Sequence, residues 1–228
     1  MIIWLASYPR SGNTMYRLLL HQVCGWDTYS VYNDPRLAKS GVGELIGQKR
    51  LDKRKLGDYA RSSMIHFIKI HGQDEQYTDG TSAVIYIVRE PRDTIVSYAH
   101  YRKNIEGAQD SLTRIMIDLI TSEAWLGWNN HVKYWTSRPK CRALSIVRFE
   151  DMLEWPVPIL DMSLSRIGMK CPVNRSVRPT QFAELQKKWP KFFRKGKVGA
   201  WHTEMPKAVE AMVWNHYGTV AGMMGYVR

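Results

Sequence analysis

Short apolar runs alternate with amphipathic stretches along this chain. Residues 2–6, 64–70, 83–88 and 143–149 are dominated by apolar and β-branched side chains, which is typical of buried strands. Stretches with apolar residues three and four positions apart lie between these runs and predict helices. Strands that alternate with helices predict an α/β fold, in which helices flank a mostly parallel central sheet.

The first helices have clear start and stop signals. One helix is predicted over about residues 14–25, with Thr14 as its cap and Gly25 as its stop. Another follows the third strand and extends to about Arg102, with Pro91 in its first turn, where a missing N–H is tolerated. Both helices therefore begin soon after a predicted strand.

The rest of the chain gives weaker signals. Residues 111–136 predict one long helix or two broken ones, and residues 206–212 begin a C-terminal helix. An aromatic core face is predicted from side chains at helical spacing, namely Trp125, Trp128, Val132 and Trp135. Residues 27–63 are polar and predict short helices or a mobile segment. No linker or repeat divides the sequence, so residues 1–228 are predicted to form one domain.

The chain carries a strong positive charge. Its 228 residues include 33 lysines and arginines against 21 aspartates and glutamates, which gives a net charge of +12. Such a balance favours an anionic partner: a nucleotide, a nucleic acid, a polyanionic sugar or an acidic membrane. Charge alone does not separate these partners from a scattered basic surface.

Cysteine content and hydropathy argue against several classes of protein. Three cysteines without C-x-x-C spacing predict neither a disulfide framework nor a zinc site, and no carboxylate cluster suggests another metal. The sequence has no run of about 18 apolar residues, so no membrane span is predicted. The N-terminus lacks a basic region followed by an apolar segment of secretory length, which favours a cytoplasmic protein.

The segment after the first predicted strand has the composition of an anion-binding loop. It reads Ser-Tyr-Pro-Arg-Ser-Gly-Asn-Thr over residues 7–14. The N–H groups and the dipole of a helix N-terminus attract anions, and Ser11 and Thr14 add hydroxyl donors. Arg10 adds a guanidinium whose geometry suits phosphate or sulfate oxygens. The loop lacks the G-x-x-x-x-G-K-[ST] signature of nucleotide hydrolases, because Gly12 is its only glycine.

Two further basic motifs lie elsewhere in the chain. Arg89 follows the clearest predicted strand, and Ser97 lies within the next helix. A glycine-bearing basic run, Arg-Lys-Gly-Lys-Val-Gly-Ala-Trp, covers residues 194–201. Each motif alone fits an ion pair or a solvated loop, whereas the three together fit a ligand with phosphates at two ends.

These motifs, in this order, resemble those of sulfotransferases that use 3′-phosphoadenosine 5′-phosphosulfate (PAPS). Residues 8–14 resemble the family's 5′-phosphosulfate loop, Tyr-Pro-Lys-Ser-Gly-x-Thr. Arg-Glu-Pro-Arg-Asp over residues 89–93, with Ser97 after it, resembles the 3′-phosphate motif. Residues 194–201 resemble the Arg-Lys-Gly-x-x-Gly-x-Trp loop. The resemblance implies a compact, bacterial-like sulfotransferase of the cytosolic type, with a P-loop-type parallel sheet flanked by helices.

The resemblance also implies which residues hold PAPS. Arg10 takes the place of the lysine that contacts the phosphosulfate and stabilises the leaving phosphate. The residues expected at the 5′-phosphate are Ser11, Gly12, Asn13 and Thr14. The residues expected at the 3′-phosphate are Arg89, Ser97, Arg194, Lys195 and Gly196. The residues expected to line the rest of the cofactor are Phe149, Thr180 and Phe182. Both phenylalanines fit core positions equally well.

A catalytic histidine is implied in the same way. Lys69-Ile70-His71 resembles the family's Lys-x-His motif, in which the histidine is the general base that takes the proton of the acceptor hydroxyl. Imidazole has an unperturbed pKa of about 6.5 and accepts a proton near neutrality. Lys69 is expected to assist at the sulfonyl oxygens. The implied reaction is in-line transfer of a sulfonyl group to a hydroxyl, or less often an amine, without a metal.

Some positions depart from the family pattern. Arg10 replaces the commoner lysine, and Met15 stands where many members have a tryptophan against adenine. His202 stands where a lysine is common, and the dimer motif of some members is not evident in residues 202–210, which leaves the oligomeric state open. A small molecule or a glycan is expected as the acceptor, which the sequence does not name. The acceptor pocket is expected to be either shallow or closed by the segment at residues 27–63.

Two other classes of protein stay open on the residues alone. A P-loop kinase or hydrolase needs a lysine after the glycine and an Mg²⁺-binding aspartate after a strand, where this chain has Asn13 and Arg89. A non-catalytic module that binds nucleic acid or polyanions would explain the charge but not three ordered phosphate motifs. No nucleic-acid partner is therefore expected.

Overall fold

A parallel sheet of five strands organises the described part of the chain. The computed structural model describes residues 1–32, 40–72, 82–122, 124–137, 141–170, 178–190 and 192–228. The strands are β1 (Ile2–Ser7), β2 (Thr28–Ser30), β3 (His66–Ile70), β4 (Ala83–Val88) and β5 (Ala143–Arg148). Their order in the sheet is β2-β3-β1-β4-β5, and every pairing is parallel.

Helices connect the strands and follow the last of them, as the alternating pattern predicts. They are α1 (Asn13–Cys24), α2 (Val42–Leu45), α3 (Leu56–Arg61), α4 (Pro91–Asn104), α5 (Leu112–Thr121), α6 (Gly127–Thr136), α7 (Phe149–Glu154), α8 (Pro156–Arg166), α9 (Phe182–Lys188), α10 (Trp201–Glu204) and α11 (Lys207–Met223). Short 3₁₀ turns, Lys53–Lys55 and Ala124–Leu126, precede α3 and α6. The expected α/β class, with a parallel central sheet flanked by helices, is confirmed.

The chain divides into two compact units. The first unit contains residues 1–7, 12–88 and 135–179. The second unit contains residues 8–11, 89–134 and 180–228. All the strands of the sheet belong to the first unit. This division does not test whether residues 1–228 fold as one domain, which stays a prediction.

The core of the first unit is built on the sheet. Trp4 and Leu5 of β1 and Ile85 and Tyr86 of β4 are completely buried. Strands inside a parallel sheet are covered on both faces, which explains their nearly continuous apolar sequence. Helix α8 packs against β5 and against α1. The sheet therefore gives the ends of β1 and β3 a rigid base.

Packed helices form the core of the second unit. Helix α4 packs on α5, and α11 packs on both. Ile95 of α4, Leu119 of α5 and Val213 of α11 are buried. Burial of aliphatic side chains of this size contributes about 1.5–3 kcal/mol each. The predicted C-terminal helix thus exists and extends well beyond residue 212.

The predicted aromatic core face is partly wrong. Trp128, Val132 and Trp135 are completely buried, whereas Trp125 is 40% exposed. The helical conformation breaks at Trp125, because the backbone is left-handed there (φ 58°) and at Leu126 (φ 66°). Such values are costly for residues with a side chain. This strained turn separates α5 from α6, so the broken-helix alternative is correct.

The start of α1 also differs from the prediction. Its N-terminal cap is Gly12 rather than Thr14, because Gly12 has a φ of 104°, which is rarely open to residues with a side chain. Its C-terminal cap is Gly25 in a left-handed conformation, as predicted. The strand expected over residues 143–149 ends at Arg148.

Residues 27–63 contain the short strand β2 as well as the expected short helices, and the weak periodicity did not reveal that strand. Cys24 is disulfide-bonded, whereas Cys141 is a free thiol. Within the described ranges, no helix is long and apolar enough to cross a membrane.

Candidate active site

His71 directly follows β3, beside the end of β1. Its Nδ1 lies 2.6 Å from the carbonyl oxygen of Ser7 and 3.3 Å from the Ser7 hydroxyl. Because a carbonyl oxygen only accepts hydrogen bonds, Nδ1 carries the proton and donates it. The unprotonated nitrogen of the neutral ring is then Nε2. His71 therefore has the tautomer of a base that accepts a proton at Nε2.

Tyr32 packs on His71, and Lys69 lies over the Tyr32 ring. The Tyr32 ring stacks on the imidazole, with 5.5 Å between centroids and 22° between planes. The Nζ atom of Lys69 lies 5.8 Å from the centre of the Tyr32 ring. Lys69 and His71 were predicted from their motif. Tyr32 was missed because nothing in its local pattern indicates a contact with His71.

The N-terminus of α1 is tied to β1 by Asn13. Its Nδ2 donates to the carbonyl oxygen of Leu5 at 2.9 Å and contacts the Ser7 hydroxyl at 3.2 Å. The N-cap residue of α1 is Gly12, which has no side chain to accept from the first N–H groups of the helix, and such groups suit an anion. The Asn13 amide group is thus structural, and Thr14 is half-buried in the first turn.

Phe149 packs against the loop rather than in a distant core. It is 4% exposed, and a Cβ added to Gly12 would collide with its ring. The same Cβ would come within 3.3 Å of the Met152 side chain. Gly12 is therefore required both for its backbone conformation and for space.

Three guanidinium groups lie near one another in the second unit. Burial, together with the like charges of Arg89 and Arg194, lowers the pKa of Arg10 to about 10. Arg10 remains charged at neutral pH at this value. Like charges repel each other, and an anion bound beside Arg10 would reduce that repulsion.

Arg10 is held in a strained conformation. Its backbone is left-handed, with a φ of 69°. Its Nε lies 3.5 Å from the Ser97 hydroxyl, its Nη2 donates to the carbonyl oxygen of Phe192 at 3.2 Å, and its guanidinium lies over the Tyr101 ring. Arg10 and Ser97, which were assigned to opposite ends of the cofactor, are therefore neighbours.

Asp93 connects Arg89 to the basic run at residues 194–201. Its carboxylate accepts hydrogen bonds from the backbone N–H groups of Gly199 at 2.8 Å and Trp201 at 3.1 Å. Nη2 of Arg89 lies 3.7 Å from the same carboxylate and donates to the carbonyl oxygen of Lys197 at 3.2 Å. Asp93 is 1% exposed and positions the run, a role that its place in the motif did not reveal.

Glu204 neutralises two of the predicted phosphate ligands. Its carboxylate accepts hydrogen bonds from Arg194 at 2.7 and 3.0 Å, and Lys195 lies 2.7 Å away. The Nε2 atom of His100 lies 2.6 Å from Oε2 of Glu204, an oxygen that Arg194 also contacts. Burial raises the pKa of Glu204, but the hydrogen bonds from Lys195 and Arg194 outweigh burial and lower it to about 2. The sequence did not predict this cluster, because one acidic residue after the basic run is not a recognisable motif.

Glu204→Gln is expected to lower the free energy of unfolding at neutral pH by about 1–3 kcal/mol. The folded-state pKa lies below the ordinary value of 4.5, so the stabilisation is present above about pH 4.5 and is lost as the pH falls towards 2. Urea unfolding at several pH values should show the difference from wild type shrinking below about pH 4.5. A difference that is the same at all pH values, or equal to that of the exposed control Glu184→Gln, would contradict this role.

Of the remaining predicted cofactor residues, Phe182 packs against Gly196. The φ of Gly196 is 54°, and a Cβ there would collide with the ring of Phe182. Phe182 also packs edge-on against Phe193, with 5.7 Å between ring centroids. Thr180 is half-buried two residues earlier. Phe182 thus supports the basic run.

The predicted site residues fall into two groups, one in each unit. The first unit holds Gly12, Asn13, Thr14, Lys69, His71 and Phe149. The second unit holds Arg10, Ser11, Arg89, Ser97, Thr180, Phe182, Arg194, Lys195 and Gly196. Across the described ranges, no three His, Cys, Asp or Glu side chains are grouped as ligands for a metal ion.

The comparisons with known proteins all point to the same family. A family model described as a sulfotransferase domain matches residues 2–225. Flavonol 3-sulfotransferase of Flaveria bidentis is 24% identical over an alignment of 238 positions, which covers 87% of this chain and 75% of the plant protein. Sulfotransferase 4A1 of Mus musculus is 23% identical over 181 residues, which cover 74% of this chain and 60% of the mouse protein.

Solved structures share the fold. Mouse sulfotransferase SULT7A1, complexed with PAP, superposes with a TM-score of 0.70 at 20% identity, over 96% of this chain and 83% of that protein. A sulfotransferase domain from the curacin biosynthetic pathway has a TM-score of 0.55 at 15% identity, over 99% of this chain and 98% of that domain.

Proposed function

The chain belongs to the sulfotransferase family, and we propose that it transfers a sulfonyl group from PAPS to a hydroxyl of a small molecule or glycan, or less often to an amine. PAPS, when bound, supplies an activated sulfonyl group on a phosphate leaving group. The observation that carries the proposal is the gathering of Arg10, Arg89 and Arg194 in the second unit. A cytoplasmic location is part of the same proposal.

The residues present fit a phosphorylated cofactor. The hydroxyl of Ser11 is completely buried, yet it has no hydrogen-bond partner among the residues that the structure describes. Buried polar groups almost always have a partner, and a phosphate oxygen would supply an acceptor for this hydroxyl. The N-terminus of α1 supports the same assignment, because its N-cap is a glycine without a side-chain acceptor and its first N–H groups suit the 5′-phosphate.

The basic residues of the second unit would hold the phosphates. We assign Arg89, Ser97 and the basic run to the 3′-phosphate, because Asp93 fixes that run to α4. Arg10 contributes a permanent charge that stabilises the leaving phosphate, with Ser97 beside it. Gly196 and Phe182 keep the backbone of the run in place.

His71 would act as the general base. Its Nε2 takes the proton of the acceptor hydroxyl while that oxygen forms its bond to sulfur and the bond from sulfur to the phosphate oxygen breaks. The hydrogen bond from Nδ1 to Ser7 keeps Nε2 as the accepting nitrogen. Lys69 would assist with its charge at the sulfonyl oxygens.

The two other classes of protein, a P-loop kinase and a non-catalytic polyanion-binding module, fit the structure less well. A P-loop kinase would place a lysine after the glycine to reach the phosphates, whereas Asn13 stands there and binds the backbone of Leu5. A non-catalytic polyanion-binding module would not need the fixed tautomer of His71. Both are kept as outcomes of the experiment below.

We expect the wild-type protein to bind 3′-phosphoadenosine 5′-phosphate (PAP) tightly in a calorimetric titration, without added metal. The affinity should fall with rising salt, because the ligand's phosphates meet several guanidinium groups. Radiolabelled sulfonyl transfer from PAPS to a panel of phenols, alcohols, sugars and amines then identifies the acceptor class.

Parallel titrations with ATP–Mg²⁺ and with duplex DNA serve as controls. No PAP binding at tens of micromolar, together with binding of ATP–Mg²⁺ or DNA, would overturn the proposal in favour of a rival class. PAP binding without transfer to any acceptor on the panel would contradict the assignment of hydroxyls and amines as acceptors.

A further inference from the structure

Tyr32 makes an unusual set of contacts with the end of β3. Its phenol oxygen accepts hydrogen bonds from the backbone N–H groups of His71 at 2.9 Å and of Gly72 at 2.8 Å. Its ring also stacks nearly parallel on the imidazole of His71. One side chain therefore contacts both the backbone and the ring of the same histidine.

The position of Tyr32 follows from the strand pairing. β2 pairs in parallel with β3 up to Ser30 and Lys69, and the N–H of Val31 still donates to the carbonyl oxygen of Lys69 at 3.2 Å. After β2 ends, the phenol oxygen of Tyr32 accepts hydrogen bonds from the N–H groups of His71 and Gly72, where a longer strand would offer carbonyl oxygens. Burial raises the pKa of Tyr32, so the phenol stays neutral at physiological pH.

These contacts restrict His71 in three ways. Hydrogen bonds to Tyr32 fix the backbone of His71, stacking limits rotation of its ring, and the carbonyl oxygen of Ser7 holds Nδ1. A base is effective only when its accepting nitrogen is held in line with the proton it removes. A hydroxyl-bearing aromatic ring meets both requirements, whereas phenylalanine would supply only the stacking.

We propose that Tyr32 is a positioning residue that holds the His71 ring in the orientation in which Nδ1 donates to the carbonyl oxygen of Ser7 and Nε2 is ready for proton abstraction. The inference rests on the proposed role of His71 as the base. It does not involve the cofactor ligands of the second unit. Tyr32 acts through His71 and through the backbone of Gly72.

Tyr32→Phe is the first test, because it keeps the ring and removes the acceptor of both N–H groups. We expect kcat to fall by about tenfold or more, while the KM for PAPS and the Kd for PAP stay within about twofold of wild type. Tyr32→Leu, which also removes the stacking, should lower kcat further. Tyr29→Phe is the matched control, since Tyr29 lies on β2 but packs against Tyr59 and His66.

The second test needs no transfer reaction. In ¹⁵N-labelled wild-type protein, NMR of the His71 ring should show the Nδ1–H tautomer, and Tyr32→Phe should shift it towards a mixture of tautomers. An Nε2–H tautomer in the wild-type spectrum would overturn the proposal without any variant.

The failures of the two proposals can be told apart. Wild-type kcat and an unchanged His71 spectrum in Tyr32→Phe, alongside a loss of turnover in His71→Ala, would refute the role of Tyr32 and leave the proposed base intact. Full turnover in His71→Ala would refute the base, while the spectra would still report whether Tyr32 orients the ring.

Discussion

His71→Ala is expected to lower kcat by about 10²–10⁴-fold, the usual contribution of a positioned general base. The physical reason is that Nε2, set as the accepting nitrogen by the hydrogen bond from Nδ1 to Ser7, is removed with the ring. The affinity for PAP should stay within about twofold, because the proposed phosphate ligands are other residues. Steady-state kinetics with PAPS, together with calorimetry with PAP, measures both quantities on the same preparation.

His216→Ala is the matched control for this loss. His216 is exposed on α11, where its Nδ1 contacts the carbonyl oxygen of Met212, and it should retain wild-type kcat. A kcat for His71→Ala within threefold of wild type, or an equal loss in His216→Ala, would rule out His71 as the base. A matching loss of PAP affinity would indicate instead that the substitution disturbs the fold around β1 and β3.

Most of the sheet was predictable from local sequence. β1 and β4 are buried on both faces, and such strands appear as nearly continuous apolar runs. β2 was not predictable, because it is three residues long and depends on pairing with β3 rather than on its own composition. The turn at Trp125 was misread because helical spacing continues through a backbone that leaves the helix.

Sequence motifs predicted only part of the site. The positions of Arg10, Arg89 and His71 came from motifs, and their roles remain proposals. The contacts of Asp93 with Gly199 and of Glu204 with His100 join residues more than 100 positions apart. No local pattern records such pairings, because they are created by packing in the folded chain.

Arg89→Ala is expected to raise the Kd for PAP by about 10²-fold, which corresponds to about 2.7 kcal/mol. Arg89 is 8% exposed, and its guanidinium is oriented by Asp93 and by the carbonyl oxygen of Lys197. A charge held in this way interacts more strongly with an anion than a mobile surface charge does. Calorimetric titration with PAP measures the change, and thermal unfolding checks that the variant is folded.

Two companion variants make the result for Arg89 specific. Arg89→Lys keeps the charge but loses the guanidinium fork, so its Kd should lie between those of wild type and alanine. Arg114→Ala removes an exposed arginine of α5 that pairs with Asp118, and it should leave the Kd unchanged. A folded Arg89→Ala that binds PAP as tightly as wild type would remove Arg89 from the phosphate ligands, while the wild-type titration would still stand as the test of the proposed function. A loss in Arg114→Ala equal to that in Arg89→Ala would instead assign PAP binding to the net charge of the chain rather than to a defined site.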